Sequence, residues 1–170
     1  AFTKSYFGRT DAQNVQHGFA GLRIEGNYDL NNQQEQLACI VRENNKKEFL
    51  NNNNPIKKLS EHIGNYPCVM IAPDDIELIT GSSEERRKFI DTILSQINSG
   101  YLQALIEYNK IVQQRNSLLK NAAEFGNIDH TLLNIYNHQL IEKGEFIFVT
   151  RTNFCTTFLP LTLDYYQKIA

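Results

Sequence analysis

The stretch PDDIELITGSSEERRKFID, residues 73–91, decides the fold of this chain. It begins with an acidic turn, continues through Gly81 and two serines, and ends in a helical pattern that contains two adjacent arginines. Ser82 is a favourable helix N-cap, and Glu85 follows three residues later, which is the spacing of a capping box. From residue 74 onward the chain is helical in pattern, whereas the residues before it are rich in strand signals. The stretch therefore predicts an α+β chain with a mainly β part at 1–73 and a helical part of three or four helices at 74–170.

The segment before this stretch predicts antiparallel strands over residues 19–50. Apolar residues alternate with polar ones there, as in a half-buried strand. The pairs Asn31-Asn32 and Asn44-Asn45 can adopt the positive φ angles that tight turns require. A polar loop at 51–54, a short helix around 56–63 and a buried strand at 68–72 are predicted to follow.

The segment after it predicts three long helices. The first has an apolar face that starts at Phe89, and the second runs from about Tyr101 to Phe125 and ends near Gly126. In the third, residues 146–150 are strand formers by propensity, but apolar residues recur every seven positions, which favours a helix. Pro160 should kink or end that helix. The heptad positions are Leu133, Leu140, Ile147, Phe154 and Leu161, with companions at Asn137, Gly144, Arg151, Phe158 and Tyr165.

Composition narrows the classes of function. The formal net charge of −2 argues against an autonomous DNA-binding domain, since nonspecific affinity for DNA comes from neutralising phosphates. No apolar run has the length of a membrane span. Three widely spaced cysteines predict reduced, buried thiols in a cytoplasmic protein, and the dispersed histidines predict no metal site.

The opening stretch also resembles a signature of the RecF family, the ATP-binding DNA repair proteins of bacteria. The residues that carry the likeness are Pro73, Asp74, Gly81, Arg86, Arg87, Phe89 and Asp91. Ser83 departs from the pattern, because the family usually has proline at that position. Two later patterns, QRNSLLK at 114–120 and L-x3-G-x2-I-x3-R at 140–151, are similar to the family's following helices.

The resemblance implies the antiparallel sheet portion of an ABC/SMC-type ATPase lobe followed by an antiparallel helical lobe. For the whole protein it implies binding of ATP with magnesium, homodimerisation on DNA, weak ATP hydrolysis, and recombinase loading at single-strand gaps with RecO and RecR. The phosphate-binding loop G-x-x-x-x-G-K-[ST] does not occur in this sequence. We therefore expect an internal part of a longer protein, with no catalytic or nucleotide site of its own, that acts as a scaffold and interaction surface.

Several candidate site residues have two interpretations. Arg86 and Arg87 could contact DNA or a nucleotide phosphate; alternatively, Arg87 pairs with Asp91 and Arg86 packs on the sheet part. Asp74 and Asp75 could assist a magnesium ion, or one of them could cap a short helix. Arg115 and Asn116 are candidates for DNA or lobe contacts, but for these two residues and Arg151 we favour structural links between helices. Lys4 and Ser5 resemble a segment near the nucleotide, although Phe7 departs from it.

A different class of protein also fits the sequence. The helices and the small β part could form a free-standing interaction module that is unrelated to ATPases. A phosphate-binding loop encoded just upstream of Ala1 in the same gene would favour the first interpretation.

Overall fold

The computed structural model describes residues 10–30, 32–43 and 46–170. The chain divides into two compact units, one that ends at Cys68 and one that begins at Val69. The Asn44-Asn45 turn and the candidates Lys4 and Ser5, with Phe7, lie outside the described residues.

The first unit contains a four-stranded antiparallel sheet in the order β1-β2-β3-β4. The strands are β1 (Leu22–Leu30), β2 (Gln33–Val41), β3 (Lys47–Asn51) and β4 (Asn54–Pro55), and a short helix α1 (Leu59–His62) follows them. Asn52 and Asn53, with φ angles of 49° and 64°, form the two-residue turn between β3 and β4. Positive φ at both central residues is the geometry that matches strand twist in a hairpin. The predicted polar loop is therefore a tight turn.

An aromatic and polar cluster covers part of this sheet. His62 is 6% exposed and lies between two rings, 6.0 Å from that of Phe49 and 5.3 Å from that of Tyr66. The Tyr66 hydroxyl donates a hydrogen bond to the Glu35 carboxylate, and the Asn51 amide donates to the same oxygen at 3.2 Å. Burial lowers the pKa of His62 below 6.5.

His62 gives the first unit a predicted pH dependence. Because its pKa is lowered in the fold, the unfolded chain binds the proton more readily than the folded one. Neutral His62 therefore makes its full contribution to the free energy of unfolding at pH values above the unfolded-state pKa of about 6.5. The contribution declines as the pH falls from there toward the lower pKa of the folded state. Urea unfolding between pH 7.5 and 5.5 should show this loss, and His62→Gln should flatten it. His17→Gln, at an exposed histidine, serves as the control substitution.

The segment 68–72 corrects the sequence prediction of a buried strand. It has no regular secondary structure, and Val69 and Ile71 are 91% and 86% exposed. An apolar run becomes a buried strand only where a neighbouring strand pairs with it, and the described sheet ends at β4. Cys68 is likewise exposed rather than buried, whereas Cys39 and Cys155 are half-buried free thiols.

The second unit is helical. A 3-10 turn at Pro73–Ile76 and the short helix α2 (Glu77–Thr80) lead into α3 (Ser83–Ile97), α4 (Ser99–Phe125) and α5 (His130–Ile169). Gly126 ends α4 with a φ of 74°, in the left-handed region that glycine enters without strain. Asp129 begins α5, because its carboxylate accepts from the amide of Leu132 at 2.9 Å. The predicted α+β fold, a sheet followed by antiparallel helices, is confirmed.

Helix α5 confirms that the seven-residue repeat outweighs local β propensity. Residues 146–154 are helical throughout, and every heptad position from Leu133 to Phe158 is at least half-buried, with Ile147 only 4% exposed. Pro160 does not end the helix, which continues to Ile169. The 40-residue helix therefore tolerates Pro160, although proline removes one amide donor from its hydrogen-bond ladder.

The core of the helical unit lies where the three long helices meet. Leu94, Tyr101, Ala104 and Ile147 form its buried cluster. Gly144 faces Tyr108, and a Cβ atom at Gly144 would lie 3.3 Å from the Tyr108 ring. The small residue at this heptad position therefore lets α4 and α5 approach closely.

The start of α3 confirms one part of the predicted cap and corrects the other. The Ser82 hydroxyl accepts from the amide of Glu84 at 3.2 Å, so Ser82 is the N-cap and Ser83 the first helical residue. The reciprocal bond of a capping box is not formed, since the Glu85 carboxylate pairs instead with Lys88 at 3.0 Å. In a capping box the Glu85 carboxylate would accept from the Ser82 amide, but here it forms an ion pair with Lys88.

This register makes opposite predictions for two adjacent serines. Ser83→Pro should stabilise the helical unit by about 0.4–1 kcal/mol, because the first helical amide is unbonded and the fixed φ restricts the unfolded chain. Ser82, with φ −74° and ψ 168°, already has the extended geometry that a following proline requires. Ser82→Ala should cost about 1 kcal/mol. Urea denaturation followed by helical circular dichroism checks both, and a destabilising Ser83→Pro would place the helix start elsewhere.

Candidate functional site

The turn before α3 is held together by signature residues. Gly81 cannot carry a side chain, since a Cβ atom there would lie 2.4 Å from the carbonyl oxygen of Glu77. The Arg86 guanidinium donates to the carbonyl oxygens of Leu78 at 3.2 Å and Gly81 at 3.1 Å. Arg86 therefore fixes the turn that connects α2 to α3.

The 3-10 turn at Pro73–Ile76 is capped by one of its own side chains. The Asp75 carboxylate accepts from the amide of Ala72 at 2.8 Å, and Pro73 occupies the first helical position, where a missing amide costs nothing. The capping role proposed for this acidic pair belongs to Asp75, while Asp74 is exposed. Within the described ranges, no group of three His, Cys, Asp or Glu side chains could hold a metal ion.

Asp91, Tyr101 and Arg151 form a polar clasp that joins the three long helices. Arg151 of α5 binds both carboxylate oxygens of Asp91 in α3, with 2.8 Å from Nε to Oδ1 and 2.8 Å from Nη2 to Oδ2. The Tyr101 hydroxyl of α4 donates to Asp91 at 2.5 Å and accepts from Arg151 Nε at 3.0 Å. Tyr101 is fully buried, and the Asp91 and Arg151 side chains are 18% and 26% exposed. Each group of the clasp is thus hydrogen-bonded to the other two.

The clasp raises the pKa of both Tyr101 and Arg151. Burial, and then the hydrogen bond to Asp91, raise the pKa of the Tyr101 hydroxyl far above its usual value. Burial alone would lower the pKa of Arg151, but the hydrogen bond and charge of Asp91 outweigh it, so the pKa is raised. Arg151 and Tyr101 accordingly keep their protons throughout the physiological pH range and serve as fixed donors.

Two further candidates link helices. The Arg115 Nε of α4 donates to Asn137 Oδ1 of α5 at 2.8 Å, so Arg115 and Arg151 are the structural links that the sequence predicts. The Phe89 ring of α3 contacts that of Phe158 in α5, with 6.0 Å between centroids. Asn116 is exposed on α4, and among the described residues its side chain forms no hydrogen bond to another helix, so the predicted link through Asn116 is not formed.

Arg87 is a signature residue whose contacts do not explain its presence. The predicted pair with Asp91 is wrong, because Asp91 faces Arg151 and Tyr101. Arg87 instead donates one bond to the Ser83 hydroxyl, at 3.0 Å, and is exposed. A guanidinium carries five N–H donors, so most of the binding capacity of Arg87 faces outward.

Arg87 lines a groove between α3, α4 and α5 with a volume of about 360 Å³. The apolar part of its lining consists of Leu105, Tyr108, Ile147 and Phe148. The charged part consists of Glu84, Arg87, Lys88, Asp91 and Arg151. We call this feature the Arg87 groove.

Sequence reasoning missed the residues that complete both features. From the sequence, Tyr101, Tyr108 and Phe148 are predicted as helix residues, without a role in a site. One signal was available: an arginine in the apolar seam of α5 requires a carboxylate on a facing helix, and Asp91 lies within the apolar face of α3. No pattern in the sequence predicts the groove, since its shape depends on how three helices pack.

The sheet and the antiparallel helices together define part of an ABC/SMC-type ATPase fold. They match a solved structure described as the recombination mediator protein RecF with ATPrS in the RecFOR pathway, with a TM-score of 0.84 and 29% identity. The match covers 92% of this chain and 42% of the solved one. A second structure, described as RecF with ATP in the same pathway, matches with a TM-score of 0.82 and 28% identity. This match covers 90% of this chain and 41% of the solved one.

Curated sequences identify the family. The DNA replication and repair protein RecF of Flavobacterium johnsoniae is 41% identical over 169 residues, which cover 99% of this chain and 47% of the relative. RecF of Parabacteroides distasonis is 38% identical, and the match covers 99% of this chain and 45% of that relative. The chain belongs to the RecF family and spans about half the length of the curated relatives it matches. No protein-family model matches it, and none of the helices in the described ranges is long and apolar enough to cross a membrane.

Proposed function

We propose that this chain is the scaffold and interaction part of a RecF protein that acts in DNA replication and repair. In this proposal residues 1–73 belong to the ATPase lobe and residues 74–170 form the helical lobe. The observation that carries it is the polar clasp, which ties the signature residue Asp91 to α4 and α5. A signature whose acid joins three helices supports a scaffolding role.

The finer activities are proposed for the whole protein. It binds ATP with magnesium, forms an ATP-dependent homodimer on DNA at single-strand gaps, and helps RecO and RecR to load recombinase. The names of the relatives and the ATP in the solved neighbours support this proposal. The rival, a free-standing interaction module, is disfavoured because similarity to RecF relatives extends over 99% of the chain and thus over both units.

The experiment compares the whole gene product that contains this chain with the chain alone. The whole protein should bind a gapped duplex more tightly with Mg-ATP than with Mg-ADP, as measured by fluorescence anisotropy. ATP-independent binding to gapped DNA, or none, would contradict the proposal for the whole protein.

The chain alone should give no saturable heat with Mg-ATP in isothermal titration. The reason is that this sequence lacks the glycine-rich loop and lysine that surround the β- and γ-phosphates. A micromolar site on the chain alone would show that it has a nucleotide site that its sequence does not reveal.

A further inference from the structure

We propose that the Arg87 groove is a docking site for a short protein segment in which a carboxylate side chain lies next to an apolar one. This inference is independent of ATP and DNA binding by the whole protein. It rests on three features of the groove, namely an unmatched positive charge, an apolar lining, and a size suited to one or two side chains.

The charge comes from Arg87. Lys88 is matched by Glu84 at 3.1 Å and Glu85 at 3.0 Å, and Arg151 is matched by Asp91 at 2.8 Å. Arg87 is the remaining cation of the lining, and its hydrogen bond within the described residues is to the Ser83 hydroxyl. Arg87 is therefore the cation of the lining that pairs with no carboxylate among the described residues, and its planar fork can bind a carboxylate through two parallel bonds.

The apolar lining determines what must lie beside that carboxylate. Phe148 is 68% exposed, while Tyr108 and Leu105 are half-buried and Ile147 is buried. An aliphatic or aromatic side chain that covers Phe148 would remove apolar surface from water on both partners. At about 360 Å³, the groove lies at the lower end of the range of ligand sites, roughly 300–1,000 Å³.

The same features favour a protein segment over a nucleic acid. A DNA strand requires a row of uncompensated cations along its phosphates, and the groove provides Arg87 alone, with two carboxylates in the same lining. Charge complementarity therefore points to a single acidic group, and the surrounding surface points to an apolar neighbour.

The test uses the 170-residue chain and two matched peptides, acetyl-Ser-Asp-Leu-Phe-Gly-Ser-amide and the same peptide with Asn in place of Asp. Nitrogen-15 NMR titration should shift the backbone amides of Arg87, Tyr108 and Phe148. The Asp peptide should bind about fivefold to tenfold more tightly than the Asn peptide, as expected for one partly exposed arginine–carboxylate contact.

Variants separate the charge from the apolar contact. Arg87→Gln should bring the ratio between the two peptides to about one, whereas Lys120→Gln, on an exposed lysine of α4 outside the groove lining, should leave it unchanged. Phe148→Ser should weaken both peptides equally, and circular dichroism should show that all three variants remain folded.

Three outcomes would overturn the proposal. They are the absence of peptide binding at millimolar concentration, equal affinity of the wild-type chain for both peptides, and an Asp preference that persists in Arg87→Gln. A twenty-nucleotide single strand that shifts the groove amides in an Arg87-dependent and steeply salt-dependent manner would assign the groove to nucleic acid instead.

Discussion

Replacing Asp91 with leucine is expected to lower the free energy of unfolding of the helical unit by about 3 kcal/mol. The substitution leaves the Arg151 guanidinium and the Tyr101 hydroxyl without their shared acceptor. Removing one partner of a buried ion pair costs more than the pair contributes, because the remaining charge stays desolvated. The expected value lies at the lower end for such pairs, since Asp91 and Arg151 are 18% and 26% exposed.

The triple variant Asp91→Leu, Tyr101→Phe and Arg151→Met separates this cause from a simple packing defect. With all three polar groups removed, no donor is left unsatisfied, and most of the loss should be recovered. Asp164→Leu is the control, because Asp164 and Lys168 form an exposed pair that contributes little. Urea unfolding followed by helical circular dichroism measures all three. If the triple variant were no more stable than Asp91→Leu, unsatisfied donors would not be the reason for the loss.

The heptad of α5 shows what the sequence could predict. A repeat that places Leu133, Leu140, Ile147 and Phe154 on one seam carries information over many turns, and the structure buries or half-buries each of them. Caps at Ser82 and Asp129 and the glycine after Phe125 depend on neighbouring residues only. Such local or periodic features need no knowledge of the tertiary structure.

The errors share a different physical origin. Arg87 and Asp91 have the spacing of a helical ion pair, yet a bidentate partner from α5, sixty residues away, takes the carboxylate. The apolar segment that begins at Val69 has the composition of a buried strand, but burial depends on a neighbour that composition does not specify. In both cases the outcome is set by which elements meet in space.

These contacts explain why several residues of the signature stretch 73–91 are needed for the fold. Gly81 and Arg86 shape the turn, and Asp91 joins the helices. Arg87 has no comparable structural role, because its hydrogen bond to Ser83 lies within one turn of α3. A motif can therefore be mostly architectural and still contain one residue directed at a partner.

Ile147→Ala should cost the helical unit about 2–4 kcal/mol, since Ile147 is 4% exposed and packs in the cluster with Leu94, Tyr101 and Ala104. The matched control is Val149→Ala, two residues further along α5, where the side chain is 46% exposed. In a strand the two positions share a face, whereas in a helix they point about 200° apart. Val149→Ala should therefore change stability by less than about 0.5 kcal/mol, with a slight gain because alanine is the better helix former. Urea denaturation of the two variants decides between these geometries, and similar large losses in both would mean that residues 146–150 follow their β propensity in solution.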